Sequence, residues 1–309
     1  MSCLCTREVV FAGSRAVIEC DGLIARRICD FIIPPDADRG NETTQSSVSF
    51  FLSANNSGNF SLFQNDELIW KGTDSGYLAE KFLSQLCWYF ADRCNNGLLF
   101  HAGAVQYQEN CILIPGKCGS GKTTLISWLV KQMGCKYLTD ELVFFPFGKK
   151  VVQSFHRPLH LKKASLPVIQ PFLDVDRIEE KYHISCQFSD LIAVPGNYSG
   201  ESQIRKDTLK VILFPQYQYD SSVQWSSLTA AETSFQLMQN LVNARNLEGY
   251  GFSETTRLMN KVQGYLFTYS SFNQIYENIL RVIHTEKKHT CKFLHLLRSG
   301  NTIENQDRF

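Results

Sequence analysis

The sequence lacks the patterns that mark several common classes of protein. Its 11 cysteines are scattered between Cys3 and Cys291, and none of them belongs to a CxxC pair. This excludes a zinc ribbon and a thioredoxin-type redox motif, so we expect the cysteines to pack as small apolar side chains. The chain also contains no internal repeat and no low-complexity tract, which argues against repeat architectures.

Long apolar runs and a large net charge are missing as well. No segment reaches the roughly 18 consecutive apolar residues that a membrane helix needs, and residues 1–7 do not resemble a signal peptide. The formal net charge is only +1, so no overall field attracts nucleic acid or a membrane surface. We therefore expect a cytoplasmic protein with neither nucleic acid nor membrane as a partner. Whether the chain forms a homo-oligomer stays open.

The composition is typical of a folded globular protein, and residues 1–95 predict a small α+β domain. The 309 residues are 44% hydrophobic and 20% charged, which suits one large domain or two ordinary ones. We expect no recognisable chemistry from residues 1–95. Alternating segments predict strands at 8–12, 16–20, 48–52, 59–63 and 67–71. Helical periodicity predicts a helix at 77–93, and a polar stretch predicts a surface loop at 34–47.

An α/β unit begins at Leu98 and continues through most of the remaining chain. We assign residues 96–285 to a P-loop domain and residues 286–309 to a polar and basic tail. Thr229 and Glu232 predict a capping box. The predicted elements are strands at 98–105, 111–115, 137–145, 209–214 and 265–269, and helices at 123–133, 229–243, 254–263 and 272–283.

The loop between the second strand and the first helix of this unit matches the pattern G-x-x-x-x-G-K-[ST] in full. Its glycines let the backbone turn successive N–H groups inward, and the following helix N-terminus adds to the anion site. We expect Lys122 to reach the β- and γ-phosphates of ATP and the Thr123 hydroxyl to bind Mg²⁺. The expected nucleotide-binding residues are Gly116, Lys117, Cys118, Gly119, Ser120, Gly121, Lys122, Thr123 and Thr124.

Two carboxylates and a histidine are the remaining candidates for chemistry. Asp140 and Glu141 lie 18 and 19 positions after Lys122 in a predicted apolar strand, where adjacent carboxylates need a cation or a proton. Bound Mg²⁺ would supply that charge. His101 lies on a strand expected to form a hairpin with the strand that enters the loop, which would bring it near the phosphates. A purely structural role for this lone histidine is the alternative.

The segment His101-Ala102-Gly103, the P-loop and the pair Asp140-Glu141 together resemble the HPr kinase/phosphorylase family, and more closely the HPr-kinase-related proteins. The resemblance is best over residues 98–145 and extends more weakly to about residue 283. It implies an α/β catalytic domain whose fold is shared with ATP-dependent phosphoenolpyruvate carboxykinase. It also implies that Asp140 is the general base, that His101 lies beside it and tunes it, and that Glu141 binds Mg²⁺ directly or through water.

Two features of the chain depart from the pattern of that family. The family carries a second aspartate where Glu141 stands, and its loop ends in serine followed by an acidic residue where Thr123 and Thr124 stand. Because glutamate is longer by one methylene, the geometry of a bound metal could differ.

Four other segments are weaker candidates. Residues 156–163 contain five potential cations that could clamp phosphate or an acidic acceptor, although a solvated loop is the slightly favoured interpretation. Residues 195–200 predict a lid-like or ordinary loop. Arg245 is interpreted as a helix C-terminal cap. Oxidation of Cys118 could block nucleotide binding, although a role as a small packing side chain is the favoured interpretation.

These observations predict an ATP-dependent kinase with Asp140, His101 and Lys122 as catalytic residues and with ATP and Mg²⁺ as cofactors. The expected acceptor is a serine-type hydroxyl on a peptide, a protein or a small molecule, and a ribosomally made peptide in a modification system is a reasonable example. A nucleotide-binding regulatory module or ATPase without kinase activity is the alternative. A phosphoenolpyruvate carboxykinase is a third hypothesis, and the shortness of the chain argues against it.

Overall fold

The computed structural model describes most of the chain and gives it a mixed α/β architecture with several sheets. Four parts of the chain for which the sequence raised expectations lie outside the described residues: most of the predicted loop 34–47, Cys118, the loop 195–200 and the tail 286–309. No helix in the described ranges has the length and apolar character needed to cross a membrane. The described residues are 4–35, 46–55, 57–117, 119–149, 151–173, 178, 183–184, 191–194, 203–205, 209–259 and 261–284.

The first part of the chain forms a five-stranded sheet with two helices packed on its buried face, and we call this part the N-terminal layer. Its second and third strands are parallel, and its other pairings are antiparallel. The elements are Cys5–Phe11 (β1), Ser14–Asp21 (β2), Leu23–Ile32 (α1), Ser46–Ala54 (β3), Phe60–Gln64 (β4), Glu67–Gly72 (β5) and Ser75–Arg93 (α2).

Helix α1 corrects the expectation that the first 31 residues form only short strands. Ala25, Ile28, Cys29 and Ile32 are buried, and their spacing of three and four residues places them on one helical face. The helix serves as the connection between the parallel strands β2 and β3, which cannot be joined by a tight hairpin.

The rest of the chain builds a nine-stranded sheet, a small three-stranded sheet and the helices that cover them. The elements are Gly97–Tyr107 (β6), Asn110–Pro115 (β7), Lys122–Gln132 (α3), Lys136–Thr139 (β8), Leu142–Pro146 (β9), Val151–Ser154 (β10), Leu159–Lys162 (β11), Leu166–Ile169 (α4), His183–Ile184 (β12), Leu191–Val194 (β13), Gln203–Arg205 (β14), Leu209–Tyr217 (β15), Gln224–Leu228 (β16), Ala230–Met238 (α5), Phe252–Leu258 (α6), Gln263–Tyr269 (β17) and Phe272–His284 (α7).

The topology of the large sheet places the P-loop at the end of a central strand. The strand order is β14-β10-β9-β6-β7-β15-β17-β16, with β8 also paired to β6. Strands β7, β15 and β17 are parallel, so their carboxyl ends meet at one edge of the sheet. The chain leaves β7 at this edge and enters the P-loop, and open α/β sheets typically bind their ligands at such an edge.

Several predicted elements differ from the observed ones at their boundaries. The single strand predicted at 137–145 is two strands, β8 and β9, because the chain bends at Asp140 and Glu141. Helix α5 ends at Met238, five residues earlier than predicted, and its predicted capping box is confirmed. Helix α6 begins directly after Gly251 rather than after Ser253.

The hydrophobic core of the N-terminal layer continues into the large sheet. The ring of Phe11 lies 6.3 Å from that of Phe144 and 5.4 Å from that of Phe155, and Phe90 lies 5.8 Å from Phe155. The five-stranded and nine-stranded sheets are separate, and the chain passes from one to the other between α2 and β6, near the predicted boundary at residue 95. Apolar packing crosses that boundary. The division into two domains remains a prediction.

Asn243 joins the end of helix α2 to the start of strand β6. Its Oδ1 accepts a hydrogen bond from the Leu99 N–H at 3.0 Å, and its Nδ2 donates to the carbonyl oxygens of Cys94 at 3.0 Å and Gly97 at 2.9 Å. The side chain is 1% exposed. Arg245 lies seven positions after Met238, the last residue of α5, so it does not cap that helix.

We expect Asn243→Ala to lower the free energy of unfolding by about 3 kcal/mol, because buried backbone groups left without a partner carry the full cost of desolvation. Urea denaturation measures this loss. Asn246 is a matched control, since its amide also donates to three backbone carbonyl oxygens but is exposed to water. Asn246→Ala should cost about 1 kcal/mol or less, and equal losses in the two variants would contradict the assignment of Asn243 as the anchor.

Candidate active site

The P-loop leaves strand β7 at Pro115 and ends where helix α3 begins at Lys122. Gly119 and Gly121 have φ values of 83° and 87°, a left-handed conformation that side chains other than glycine rarely adopt. The Leu125 N–H donates the first helical hydrogen bond to the Gly121 carbonyl oxygen at 2.9 Å. The N-terminus of α3 therefore faces the loop and provides an anion site.

Two tyrosines at the carboxyl ends of neighbouring strands hold the loop in place. The Tyr217 N–H donates to the Ser120 carbonyl oxygen at 3.0 Å, and the Tyr269 hydroxyl lies 3.5 Å from the Gly121 carbonyl oxygen. A Cβ atom at Gly121 would lie 2.7 Å from the Tyr269 hydroxyl and 3.0 Å from the Tyr217 Cβ. The sequence analysis did not identify these tyrosines, because only the parallel pairing of β15 and β17 brings them to the loop.

His101 lies beside Lys122, as the predicted hairpin required. Strand β6 pairs antiparallel with β7, and Ala102 faces Pro115, so His101 stands at the loop end of the hairpin. The distance from Lys122 Nζ to His101 Nε2 is 2.9 Å. Burial, together with the positive charge of Lys122, lowers the pKa of His101 to about 4. The neutral ring accepts at Nε2 from the Lys122 ammonium, which places its own proton on Nδ1.

Asp140 and Glu141 occupy the bend between β8 and β9, next to His101. The Ala102 N–H donates to the Glu141 carbonyl oxygen at 3.1 Å, and Glu141 Oε1 lies 3.7 Å from His101 Nε2. Asp140 is 6% exposed, and the Tyr137 hydroxyl donates to its Oδ1 at 3.0 Å. Burial and the neighbouring Glu141 charge raise the pKa of Asp140, although Arg157 and Tyr137 act in the opposite direction.

Arg157 supplies the positive charge that this carboxylate pair needs. Its side chain is 3% exposed and forms ion pairs with Glu141 and, at 3.8 Å, with Asp140. Burial acts to lower the pKa of Arg157, and the two carboxylates outweigh it and raise the pKa. The favoured interpretation of residues 156–163 as a solvated loop is therefore wrong. Arg157 is thus a cation of the kind that the adjacent carboxylates were expected to need, and a contribution from Mg²⁺ stays a prediction.

A cavity of about 450 Å³ brings these groups together. Every described residue of the predicted site lines it except Gly116 and Ser120. Ile32, Glu80 and Leu83 of the N-terminal layer also line it, so this layer forms part of the cavity wall, and the expectation that it supplies no recognisable chemistry stays a prediction. The remaining lining residues are His101, Lys117, Gly119, Gly121, Lys122, Thr123, Thr124, Asp140, Glu141, Arg157, His160, Lys162, Ala164, Ser165, Val168, Tyr217, Tyr269, Ser270 and Phe272.

The donor atoms at the cavity suit Mg²⁺ bound together with a nucleotide. Among the described residues, no cluster of three or more His, Cys, Asp or Glu side chains forms a complete metal cage. Mg²⁺ commonly takes one or two carboxylates and completes its shell with water and substrate phosphates. Glu141 and the Thr123 hydroxyl provide such hard oxygen donors, and only one of the Glu141 oxygens is engaged by Arg157.

The neutral state of His101 predicts how stability depends on pH in the absence of divalent metal. The pKa is about 4 in the folded protein against an ordinary value of 6.5. Between these values the unfolded chain binds a proton that the folded protein does not, so the free energy of unfolding decreases as the pH falls. As the pH is lowered from about 7 to about 5, the free energy of unfolding of His101→Gln should therefore decrease less than that of the wild type.

Urea denaturation at the two pH values measures this difference. The raised pKa of Asp140 acts in the opposite sense, but Asp140 is present in both proteins and cancels in the comparison. Parallel pH profiles for the two proteins would show that His101 titrates normally.

Comparison with known proteins gives little further information about the site. No protein-family model and no curated protein matches the chain. One solved structure with a detectable likeness is the HPr(Ser) kinase/phosphatase from Coxiella burnetii, at 8% sequence identity and a TM-score of 0.28, with 59% of this chain and 97% of that chain covered. This likeness is weak, so the family resemblance continues to rest on the P-loop, on His101 and on the pair Asp140-Glu141.

Proposed function

We propose that this chain is an ATP-dependent phosphotransferase that transfers the γ-phosphoryl group to a serine-type hydroxyl on a peptide, a protein or a small molecule. The observation that carries the proposal is the convergence of Lys122, His101 and Asp140 on one cavity of about 450 Å³. A cavity of this size falls within the range usual for small-molecule ligands. Phosphoryl transfer depends mainly on positioning of the reactants and on neutralisation of phosphate charge. The groups that line this cavity are suited to both tasks.

The P-loop and Lys122 would hold the phosphates. The N-terminus of α3 attracts anions, and the Lys122 ammonium is buried at 8% exposure beside it. In the described structure this ammonium donates to His101. A phosphate group at the helix N-terminus would compete for the same ammonium, so nucleotide binding and the environment of His101 are coupled.

Mg²⁺, bound by Glu141 and Thr123 together with phosphate oxygens and water, would neutralise charge on the transferring group. Asp140 is the residue that we assign to proton acceptance. Its Oδ1 accepts a hydrogen bond from the Tyr137 hydroxyl and lies near Arg157. Burial raises the pKa of Asp140 above its ordinary value, and a carboxylate with a raised pKa is a stronger base for the proton of an alcohol.

A nucleotide-dependent regulatory module or ATPase is the second candidate. Arg157 is the observation that favours it, because its guanidinium pairs with both carboxylates and weakens a base by stabilising its charged form. The two candidates differ in their product. The kinase forms a phosphoester on an acceptor, whereas the ATPase releases free phosphate only.

Incubation with γ-labelled ATP, Mg²⁺ and a panel of hydroxyl acceptors distinguishes the two. The panel contains free serine, serine-containing peptides and a cell extract, and mass spectrometry identifies the products. The kinase proposal predicts an acid-stable and alkali-labile phosphoester, with less product from His101→Ala at saturating ATP. Free phosphate with every acceptor would favour the ATPase, and no consumption of ATP would contradict both candidates.

A further inference from the structure

A buried chain of polar contacts connects the carboxylate pair to the N-terminal layer. The two terminal nitrogens of the Arg157 guanidinium are engaged: one donates to Glu141 Oε2, and the other contacts His160 Nδ1. Its Nε has no hydrogen-bond partner in the described part of the chain and lies 3.8 Å from Asp140 Oδ1, at ion-pair distance. His160 in turn contacts the carbonyl oxygen of Phe31 through Nε2 at 2.8 Å. Phe31 belongs to helix α1 of the N-terminal layer, outside the predicted P-loop domain at residues 96–285.

The geometry of His160 fixes its tautomer and its orientation. A backbone carbonyl oxygen can only accept a hydrogen bond, so the proton lies on Nε2 and the lone pair of Nδ1 faces Arg157. The imidazole also stacks on the Phe31 ring, with centroids 4.1 Å apart and an interplanar angle of 25°. His160 is 8% exposed, and burial together with the positive charge of Arg157 lowers its pKa, which keeps the ring neutral.

We infer that Arg157 is a positioning residue for Asp140 and Glu141, and that helix α1 orients it through the Phe31 carbonyl and His160. The inference rests on the proposed function for the roles of the two carboxylates. It makes the N-terminal layer a structural part of the active site, because the guanidinium that aligns both acids is itself held by that layer.

Only arginine can make this set of contacts. Its planar guanidinium presents five donors in a fixed fork, whereas the lysine ammonium is a single point of charge on a flexible stem. A lysine at position 157 would reach one carboxylate or the other and would leave His160 Nδ1 without its donor. The arrangement therefore explains why a buried cation at this position is an arginine rather than a lysine.

The test compares two substitutions at His160. His160→Leu removes both the acceptor for Arg157 and the donor to Phe31, while His160→Gln can replace both through its amide. His284→Leu is the matched control, because His284 is exposed and lies outside the cavity. ADP binding to the full chain is measured by isothermal titration calorimetry, once with Mg²⁺ and once with a chelator.

His160→Leu should weaken Mg²⁺-dependent ADP binding by about 10- to 100-fold, the usual effect of removing a group that orients a metal ligand. Affinity in the presence of the chelator should stay at the wild-type value, and His160→Gln should recover most of the loss. In a Glu141→Gln background, His160→Leu should have no further effect. Wild-type affinity for His160→Leu, or an equal loss in the Glu141→Gln background, would overturn the inference.

A stability measurement separates this inference from the proposed function. If the wild type binds no ADP, the proposed function fails, and the inference is then decided by a double-mutant cycle of His160→Leu and Glu141→Gln in urea denaturation. Residues in one hydrogen-bond network give non-additive changes, so non-additivity supports the inference and additivity overturns it. The same cycle with Arg157→Lys in place of His160→Leu covers the case in which His160→Leu does not fold.

Discussion

Asp140→Asn is expected to lower the rate of phosphoryl transfer by about 10²–10⁴-fold while ATP binding stays close to the wild-type value. The amide has the shape of the carboxylate and can still accept from the Tyr137 hydroxyl, but it cannot take up the proton of an acceptor alcohol. Arg157 keeps its ion pair with Glu141, so the bend between β8 and β9 retains a charge-compensated carboxylate. Single-turnover transfer from labelled ATP measures the rate, and calorimetry measures the affinity.

The matched control for this experiment is Asp92→Asn at the end of helix α2, where the carboxylate is 67% exposed. This variant should transfer phosphate at the wild-type rate. If Asp140→Asn also turns over at that rate, Asp140 has a structural role and the assignment of the base is wrong. If Asp140→Asn loses ATP binding as well, the residue acts mainly in nucleotide or metal binding.

Lys122→Ala is expected to abolish the thermal stabilisation that Mg²⁺·ATP gives the wild type. A ligand that binds only the folded state at 100 times its Kd stabilises it by about 2.7 kcal/mol. Lys122 is buried at the N-terminus of α3 beside His101, so the ammonium faces the cavity in which the phosphates would lie. Its loss removes a charge-assisted contact to two phosphate groups.

Lys131 on the last turn of the same helix is the control, because it is exposed and does not line the cavity. Lys131→Ala should keep the full ATP-dependent shift in melting temperature. An unchanged shift in melting temperature for Lys122→Ala would contradict ATP binding at the P-loop, since no other buried lysine lines the cavity in the described part of the chain.

The position of His101 near the P-loop could be predicted because it depends on local sequence, whereas the position of Asp140 beside His101 was implied by the family resemblance. The loop is a continuous motif, and the hairpin of β6 and β7 follows from two apolar strands joined by a short polar turn. The bend at Asp140 was not predicted, because the apolar residues on both sides gave one continuous strand pattern. Its cause is visible only in three dimensions, where β8 and β9 pair with different parts of β6.

Arg157 could not be assigned from sequence because the carboxylates that it pairs with lie 16 and 17 positions earlier, in the bend between β8 and β9. A cation-rich segment is usually solvated, and residues 156–163 carry five potential cations. One signal was present: Leu159 and Leu161 flank His160, and this apolar–polar alternation is typical of a strand. All three are buried in strand β11. The stack of His160 on Phe31 then depends on helix α1, an element that the sequence analysis missed.

The most direct test of the account is a ³¹P nuclear magnetic resonance time course of ATP, Mg²⁺ and a hydroxyl acceptor with the wild type and with Asp140→Asn. The method distinguishes a phosphoester from free phosphate in the same sample. The account predicts that the wild type converts the γ-phosphate signal into a phosphoester signal and that Asp140→Asn leaves ATP largely unconverted. Free phosphate as the sole product, formed at the same rate by both proteins, would contradict it.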